Sequence, residues 1–189
     1  YISGTTQTKH PTPSYGINYS TEKTNKTIPS TDEYSYNADM SGAVSGNGQA
    51  LTLVPGQDVY FRTKASGDLL ASNIQHLDVP SRPAAPAFTY DPVNQRTSTM
   101  VSSAFEYSNS SDMSGAVAGN GTYVSISIGT TKYFRKKATA SAFKSSIQSL
   151  TGTSTPPTGS PEFVILNDII EWPNTSDTNG FYFFYHNSA

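Results

Sequence analysis

The sequence has no cysteine. This excludes disulfides, zinc–thiolate sites and thiol nucleophiles. Charge is scarce as well: Asp, Glu, Lys and Arg make up only 14% of the residues, and the formal net charge is −2. No basic or acidic run breaks the pattern. A nucleic-acid or anionic-membrane partner calls for a clustered basic patch, so neither is expected. No apolar stretch reaches the roughly 18 residues that a membrane-spanning helix needs. There is one Trp, and there are three His. No HExxH, nucleophile elbow or Ser-His-Asp arrangement occurs, and the carboxylates stand singly rather than as a glycosidase pair. No enzyme activity and no cofactor are expected.

What the chain does have is aromatics, turns and hydroxyls. It carries 12 Tyr, 9 Phe, 14 Gly and 12 Pro in 189 residues, although apolar residues amount to only 35%. Tyr, Thr, Val and Ile suit a pleated, half-buried surface, and Gly and Pro supply turns. The composition reads as all-β. Its Ser/Thr-rich, Lys-poor character leans towards an exported protein.

The dominant feature is an internal repeat. "EYSYNADMSGAVSGNG" (Glu33 to Gly48) falls on "EYSNSSDMSGAVAGNG" (Glu106 to Gly121) at an offset of 73 residues. "YFRTKA" (Tyr60 to Ala65) falls on "YFRKKA" (Tyr133 to Ala138), and "SNIQHL" (Ser72 to Leu77) on "SSIQSL" (Ser145 to Leu150), at the same offset. About half of the positions from Glu33 to Leu77 are identical to their counterparts. The whole domain is therefore copied in tandem. "PSYGINY", "PAFTYDP" and "PEFVILN" open corresponding copies, each after a Pro-rich segment. Such segments make short, stiff connections.

The expected organisation is the end of a preceding unit or a junction over 1–12, repeat 1 over 13–80, a junction over 81–85, repeat 2 over 86–152, a junction over 153–160 and the first half of a third repeat over 161–189. In repeat 2 the patterning predicts strands at Ala87–Tyr90, Arg96–Ser102, Ala104–Asn109, Tyr123–Ile128, Lys132–Ala138 and Ser146–Leu150. In "YVSISIG", Val124, Ile126 and Ile128 alternate with small polar residues, as on a strand with one buried face. Many short strands with frequent turns fit a small two-sheet sandwich.

These residues resemble a known family. An "EYS" strand (Glu33–Ser35), a Gly-rich hairpin (Asp39–Gly48), "PG…VYFR.KA" (Pro55–Ala65), "..AS..Q.L" (Ala71–Leu77) and an "RPAAP" junction (Arg82–Pro86) look like the tandem Ig-like or fibronectin type III-like repeats of large bacterial surface and secreted proteins of the Bacteroidetes and Firmicutes type. The second copy departs from the pattern: Ile128 replaces Pro55, and "TPPTGSP" replaces the junction. The resemblance implies tandem β-sandwich repeats, a multidomain parent and an extracellular or cell-surface address. It implies no catalytic residue.

Each candidate site competes with a structural reading. The Gly-rich decapeptide has neither the helix nor the Lys of a phosphate cradle. As a calcium site, Asp39 with Asn47, or Asp112 with Asn120, offers one carboxylate where several are usual. Asn47-Gly48 and Asn120-Gly121 are instead expected as type I′ turns, with φ > 0 at both residues. Met40 and Met113 are expected to cover the core edge. Arg62 and Arg135 are expected to lie over a Tyr face. His10, His76 and His186 lack repeated counterparts. The strongest binding candidates are Trp172, Tyr182, Phe184 and Tyr185 of the third copy, as a carbohydrate platform or as the edge of an unfinished core.

The function expected is a non-catalytic structural or adhesive module, a stalk or spacer. Two alternatives stay open: a carbohydrate-binding accessory module built on the third copy's aromatics, or a subunit completed by a strand from a neighbour.

Overall fold

The computed structural model describes residues 7–154 throughout and, beyond them, the backbone of two short strands. The chain divides into two compact units, Tyr1–Ser154 and Thr155–Ala189. Every regular element among the described residues is a β-strand, and the strands pair antiparallel. The fold is all-β.

Repeat 1 opens with the hairpin β1 (Ile17–Asn18) and β2 (Lys23–Thr24), followed by β3 (Asp32–Ser35), β4 (Val44–Ser45), β5 (Val59–Thr63) and β6 (Gln75–Leu77). Repeat 2 runs through β7 (Tyr90–Asp91), β8 (Arg96–Thr97), β9 (Phe105–Ser108), β10 (Val117–Ala118), β11 (Thr131–Lys136) and β12 (Gln148–Thr151). The last six strands of this scheme repeat the first six. Each copy holds a four-stranded sheet, ordered β4-β3-β5-β6 and β10-β9-β11-β12. The second unit contains one more hairpin, β13 (Val164–Leu166) with β14 (Ile169–Glu171).

Alternation explains the layering. In β5, Val59 and Phe61 point inward and are buried, whereas Tyr60 and Arg62 face out. The inner face meets a second layer made of the opening hairpin and the segment after the Asn-Gly pair. Bridges Lys23↔Thr52 and Ile28↔Gln49 tie that layer together, as Arg96↔Ser125 and Val101↔Thr122 do in repeat 2. Tyr15, Ile28, Leu53, Val59, Phe61 and Leu77 fill the first core. Val101, Val124, Ile126 and Phe134 fill the second. Two facing layers around one core are consistent with a β-sandwich.

Both copies staple their first segment to the last strand with one side chain. The Gln75 carboxamide accepts the Tyr15 N–H at 2.7 Å and donates to the Tyr15 carbonyl; Gln148 does the same for Phe88. Both bonds satisfy backbone groups that would otherwise sit unpaired at the layer boundary.

The strands expected at Ala87–Tyr90 and Arg96–Ser102 shrink to Tyr90–Asp91 and Arg96–Thr97, and three further expectations need correction. Tyr123–Ile128 forms isolated bridges rather than a ladder. Val124 and Ile126 are buried as expected, but Ile128 is exposed. The segment gives its hydrogen bonds to the opening hairpin, through Thr97 N–H to the Val124 carbonyl and Ile126 N–H to the Gln95 carbonyl. Second, the Asn-Gly pairs are not type I′ turns. Gly48 (φ 80°) and Gly121 (φ 82°) are left-handed, but Asn47 and Asn120 are not. The hairpin reversal comes earlier, at Met40 and Gly42 (φ 63° and 66°) and at Met113 and Gly115 (both 63°). Asn-Gly instead marks where the chain leaves the sheet for the second layer. There the Gly48 N–H reaches the Ile28 carbonyl and the Gly121 N–H the Val101 carbonyl. Third, Arg62 and Arg135 do not lie over tyrosines. Register places each directly across from a glutamate, and Arg62 pairs with Glu33, and Arg135 with Glu106, at 2.5 Å. A carboxylate one strand away offers a charge-assisted bond that a ring face does not match. Met40 and Met113, expected to cover the core edge, are buried, but neither is among the residues that fill the two cores.

The crossover from sheet to second layer is tight. A Cβ on Gly46 would lie 2.2 Å from the Pro29 carbonyl oxygen, and one on Gly119 2.3 Å from that of Ser102. Gly46→Ala and Gly119→Ala are each expected to cost about 1–3 kcal/mol through forced backbone movement. Urea unfolding would report this as a lower midpoint; an unchanged midpoint would show that the crossover yields easily.

Candidate functional site: the joint between the repeats

A polar and aromatic constellation lies where the repeats meet. It begins with a local constraint in repeat 1. The turn between β1 and β2 is closed by the Asn18 carboxamide, which accepts the Thr21 N–H at 3.2 Å. Glu22 follows in the left-handed region (φ 56°), and its carbonyl accepts the Leu53 N–H at 2.8 Å. Gln95 has the same geometry in repeat 2, with φ 48° and a bond from Ile126 N–H. The strain of a non-glycine residue there is offset by anchoring the hairpin to the second layer. In repeat 1 this turn displays Tyr19 and Glu22.

The 81–85 junction supplies the partner. Arg82 Nη1 and Nη2 donate to Glu22 Oε1 and Oε2 at 2.8 and 2.6 Å. Arg82 Nη1 also donates to the Lys144 carbonyl of repeat 2 at 2.9 Å. One planar guanidinium thus ties junction, repeat 1 and repeat 2 together, a geometry Lys cannot reproduce. The Arg82 hydrogen bonds hold the Glu22 carboxyl below its usual range, with further attraction from Arg82, Lys144 and Arg135.

Beside this fork sits Phe143. By sequence it belongs to repeat 2; by packing it belongs to the core of repeat 1. It is 1% exposed and meets Tyr19 edge to face, with ring centroids 5.0 Å apart. Its counterpart in repeat 1, Leu70, is 39% exposed. The Pro-rich junction is therefore more than a spacer between separate sandwiches: it lies beside a direct, packed contact.

The sequence-derived candidates disperse. Asp39 Oδ1 accepts the Ser41 N–H, and Asp112 Oδ1 accepts the Ser114 N–H and the Ser110 hydroxyl. The Ser41 side chain and then its N–H hold the Asp39 carboxyl low, and the Ser114 N–H and Ser110 hydroxyl bring Asp112 down to about 2. Asn47 and Asn120 oxygens are spent on Gln49 and Thr122. Each loop thus closes on itself, and among the described residues no group of three His, Asp or Glu is placed to hold a metal. His10 Nε2 lies 2.9 Å from Ser66 Oγ, on a cavity of about 420 Å³ also lined by Ser30, Thr31, Thr63 and Lys64. His76 stacks on Tyr60 and bonds Asp58 at 2.7 Å. Trp172, Tyr182, Phe184, Tyr185 and His186 lie outside the described residues. No helix among the described residues is long and apolar enough to cross a membrane.

Two arrangements were invisible in the sequence. Tyr15 donates its hydroxyl to the buried Asp32 at 2.6 Å, and Thr63 donates to the other Asp32 oxygen at 2.9 Å. Burial, then the Asp32 bond, pushes the Tyr15 hydroxyl up. In repeat 2 the same two positions are Phe88 and Phe105, packed edge to face at 5.0 Å. The paired change from a hydrogen-bonded couple to an aromatic couple is the signal that the repeat alignment carried. The other is Arg96, whose guanidinium carbon sits 3.8 Å above the Tyr123 ring.

No family model matches the chain, and no curated protein matches it.

Three outcomes are expected. Phe143→Ala costs about 3–5 kcal/mol, and hydrogen exchange accelerates in repeat 1, at Tyr15 and Phe61, although the change is in repeat 2. Faster exchange confined to repeat 2 would contradict the shared core. Glu22 adds stability that is fully present above its ordinary value of 4.5 and is lost as pH falls through its lowered folded value. The stability gap between wild type and Glu22→Gln should therefore close in acid, measured by denaturant unfolding at a series of pH values. Tyr15→Phe costs about 1–3 kcal/mol because Asp32 stays buried with a donor missing. Adding Asp32→Phe, the repeat 2 solution, should restore most of it in a double-mutant cycle.

Proposed function

We propose that this chain is a non-catalytic structural module of an exported bacterial surface protein, built from Ig-like or fibronectin type III-like β-sandwich repeats and acting as a stalk or spacer. The reading rests on one observation above all: Arg82 and Phe143 fasten one repeat to the next. A spacer must hold its two ends at a defined separation. Two domains on a slack tether do this poorly, because a flexible linker samples many separations. A bidentate Arg–Glu fork and a shared aromatic core remove that freedom. The tandem copy supports the same reading, since length grows by adding units that contact their neighbours.

The residue resemblance and the Ser/Thr-rich composition support the extracellular, cell-surface address. The carbohydrate alternative depends on Trp172 and the aromatics of 182–185, which lie outside the described residues.

Small-angle scattering of the full chain, compared with the double variant Arg82→Ala/Phe143→Ala, tests the spacer reading. The variant should keep its β-sheet circular dichroism and show a broadened pair-distance distribution. Identical distributions would mean that the joint does not set the geometry, and the spacer reading would fall.

A further inference from the structure

The joint has a counterpart at the other end of repeat 1, and there it is uncovered. Shifting the joint residues back by 73 positions turns Arg82, Phe143 and Arg135 into Lys9, Leu70 and Arg62. In repeat 2 these positions are covered: Phe143 is 1% exposed, and the Arg135 side chain, within electrostatic reach of Glu22, is 18% exposed. In repeat 1, Leu70 is 39% exposed and the Arg62 side chain 34%.

Charge follows the same pattern. Arg82 holds the Glu22 carboxylate, whereas among the described residues Lys9 donates, at 2.8 Å, to the neutral Asn73 carboxamide alone. The Lys64 side chain, on the same end, donates among the described residues to the Ser45 hydroxyl alone. Asp68, in the adjoining turn, pairs with neither among the described residues. The face thus presents an apolar knob flanked by Lys9 and Lys64, neither of which pairs with a carboxylate among the described residues.

Its backbone is already built for display. Leu70 N–H donates to the Thr8 carbonyl and His10 N–H to the Leu70 carbonyl, both at 2.9 Å. The junction is laid along the knob and holds it in place.

We propose that this face of repeat 1 is a docking surface for another repeat of the same type. That repeat would present an aromatic ring and a carboxylate on its β1–β2 turn, as Tyr19 and Glu22 do. The ring would cover Leu70, and the carboxylate would meet Lys9. A second copy of this chain cannot supply that turn from its own repeat 1, because its Tyr19 and Glu22 already hold Phe143 and Arg82. Its repeat 2 carries Pro92 and Gln95 at those positions. The occupant is therefore a repeat joined in the same array. The inference rests on the spacer reading and names its partner.

The test appends a second copy of residues 13–80 ahead of residue 8 of the full chain, so that the native 8–12 segment forms the new junction. Methyl NMR should show the Leu70 resonances shifted, with contacts to the appended Tyr19 ring. Tyr19→Ala in the appended copy should abolish them. Unshifted Leu70 methyls beside a folded appended copy would overturn the proposal. A second measurement covers an appended copy that fails to fold. The unmodified chain is titrated with a cyclised peptide of residues 16–25, followed at the same methyls. Saturable shifts are expected, weakened about threefold to fivefold by Glu22→Gln in the peptide or Lys9→Gln in the chain. No shift at millimolar peptide would likewise overturn it. The scattering comparison at the native joint separates the two ideas. If that joint holds while Leu70 stays untouched, only the docking surface is lost; if that joint is slack, the spacer reading fails first.

Discussion

Phe143 is a residue of one repeat that completes the core of the other, and the character of the molecule depends on that exchange. A sandwich of about seventy residues buries limited apolar area and is marginal alone. Repeat 1 gains a fully buried ring from its neighbour. Arg82 then fixes the neighbour's position with a fork on Glu22 and a third bond to the Lys144 carbonyl. The aromatic contact supplies burial, and the guanidinium supplies direction.

The comparison of the two copies separates framework from variation. Both keep the Gln staple, the Glu–Arg cross-strand pair and the Ser hydroxyl that accepts a backbone N–H beside the last strand. Both keep the buried Thr whose oxygen receives an N–H from the second layer, Thr24 for Leu51 and Thr97 for Val124. These contacts satisfy backbone groups at layer boundaries, where no ladder reaches. By contrast, the pair at positions 15 and 32 changes chemistry entirely, from Tyr–Asp to Phe–Phe. A buried polar couple and an aromatic couple are both closed solutions, and only a mixture would leave an unpaired group.

Legibility in the sequence followed periodicity. β3, β5 and β6, with their counterparts, could be placed because Phe61 and Phe134 sit in strict alternation with polar residues. The "YVSISIG" segment misled because alternation reports burial, not pairing. Val124 and Ile126 are buried by facing the sheet, while their backbone bonds go to single residues of a hairpin. The Asn-Gly pairs misled because that dipeptide is favoured wherever the chain must turn sharply, and here it turns between layers. The two-residue strands β4 and β10 carry no periodic signal at all. The joint was hidden for a different reason: Tyr19, Glu22, Arg82 and Phe143 are scattered along the chain and are not repeated, so no pattern linked them.

By itself, the sequence determined the all-β class and the tandem copying with its phase. These follow from composition, offset and alternation, which are local properties of a chain. Only the tertiary structure decided that Arg62 and Arg135 face glutamates, that the Gly-rich decapeptide closes on its own side chains, and that Phe143 crosses into the neighbouring core. Each of these depends on which residues strand register and repeat packing bring within bonding distance, and separation along the chain carries no record of that.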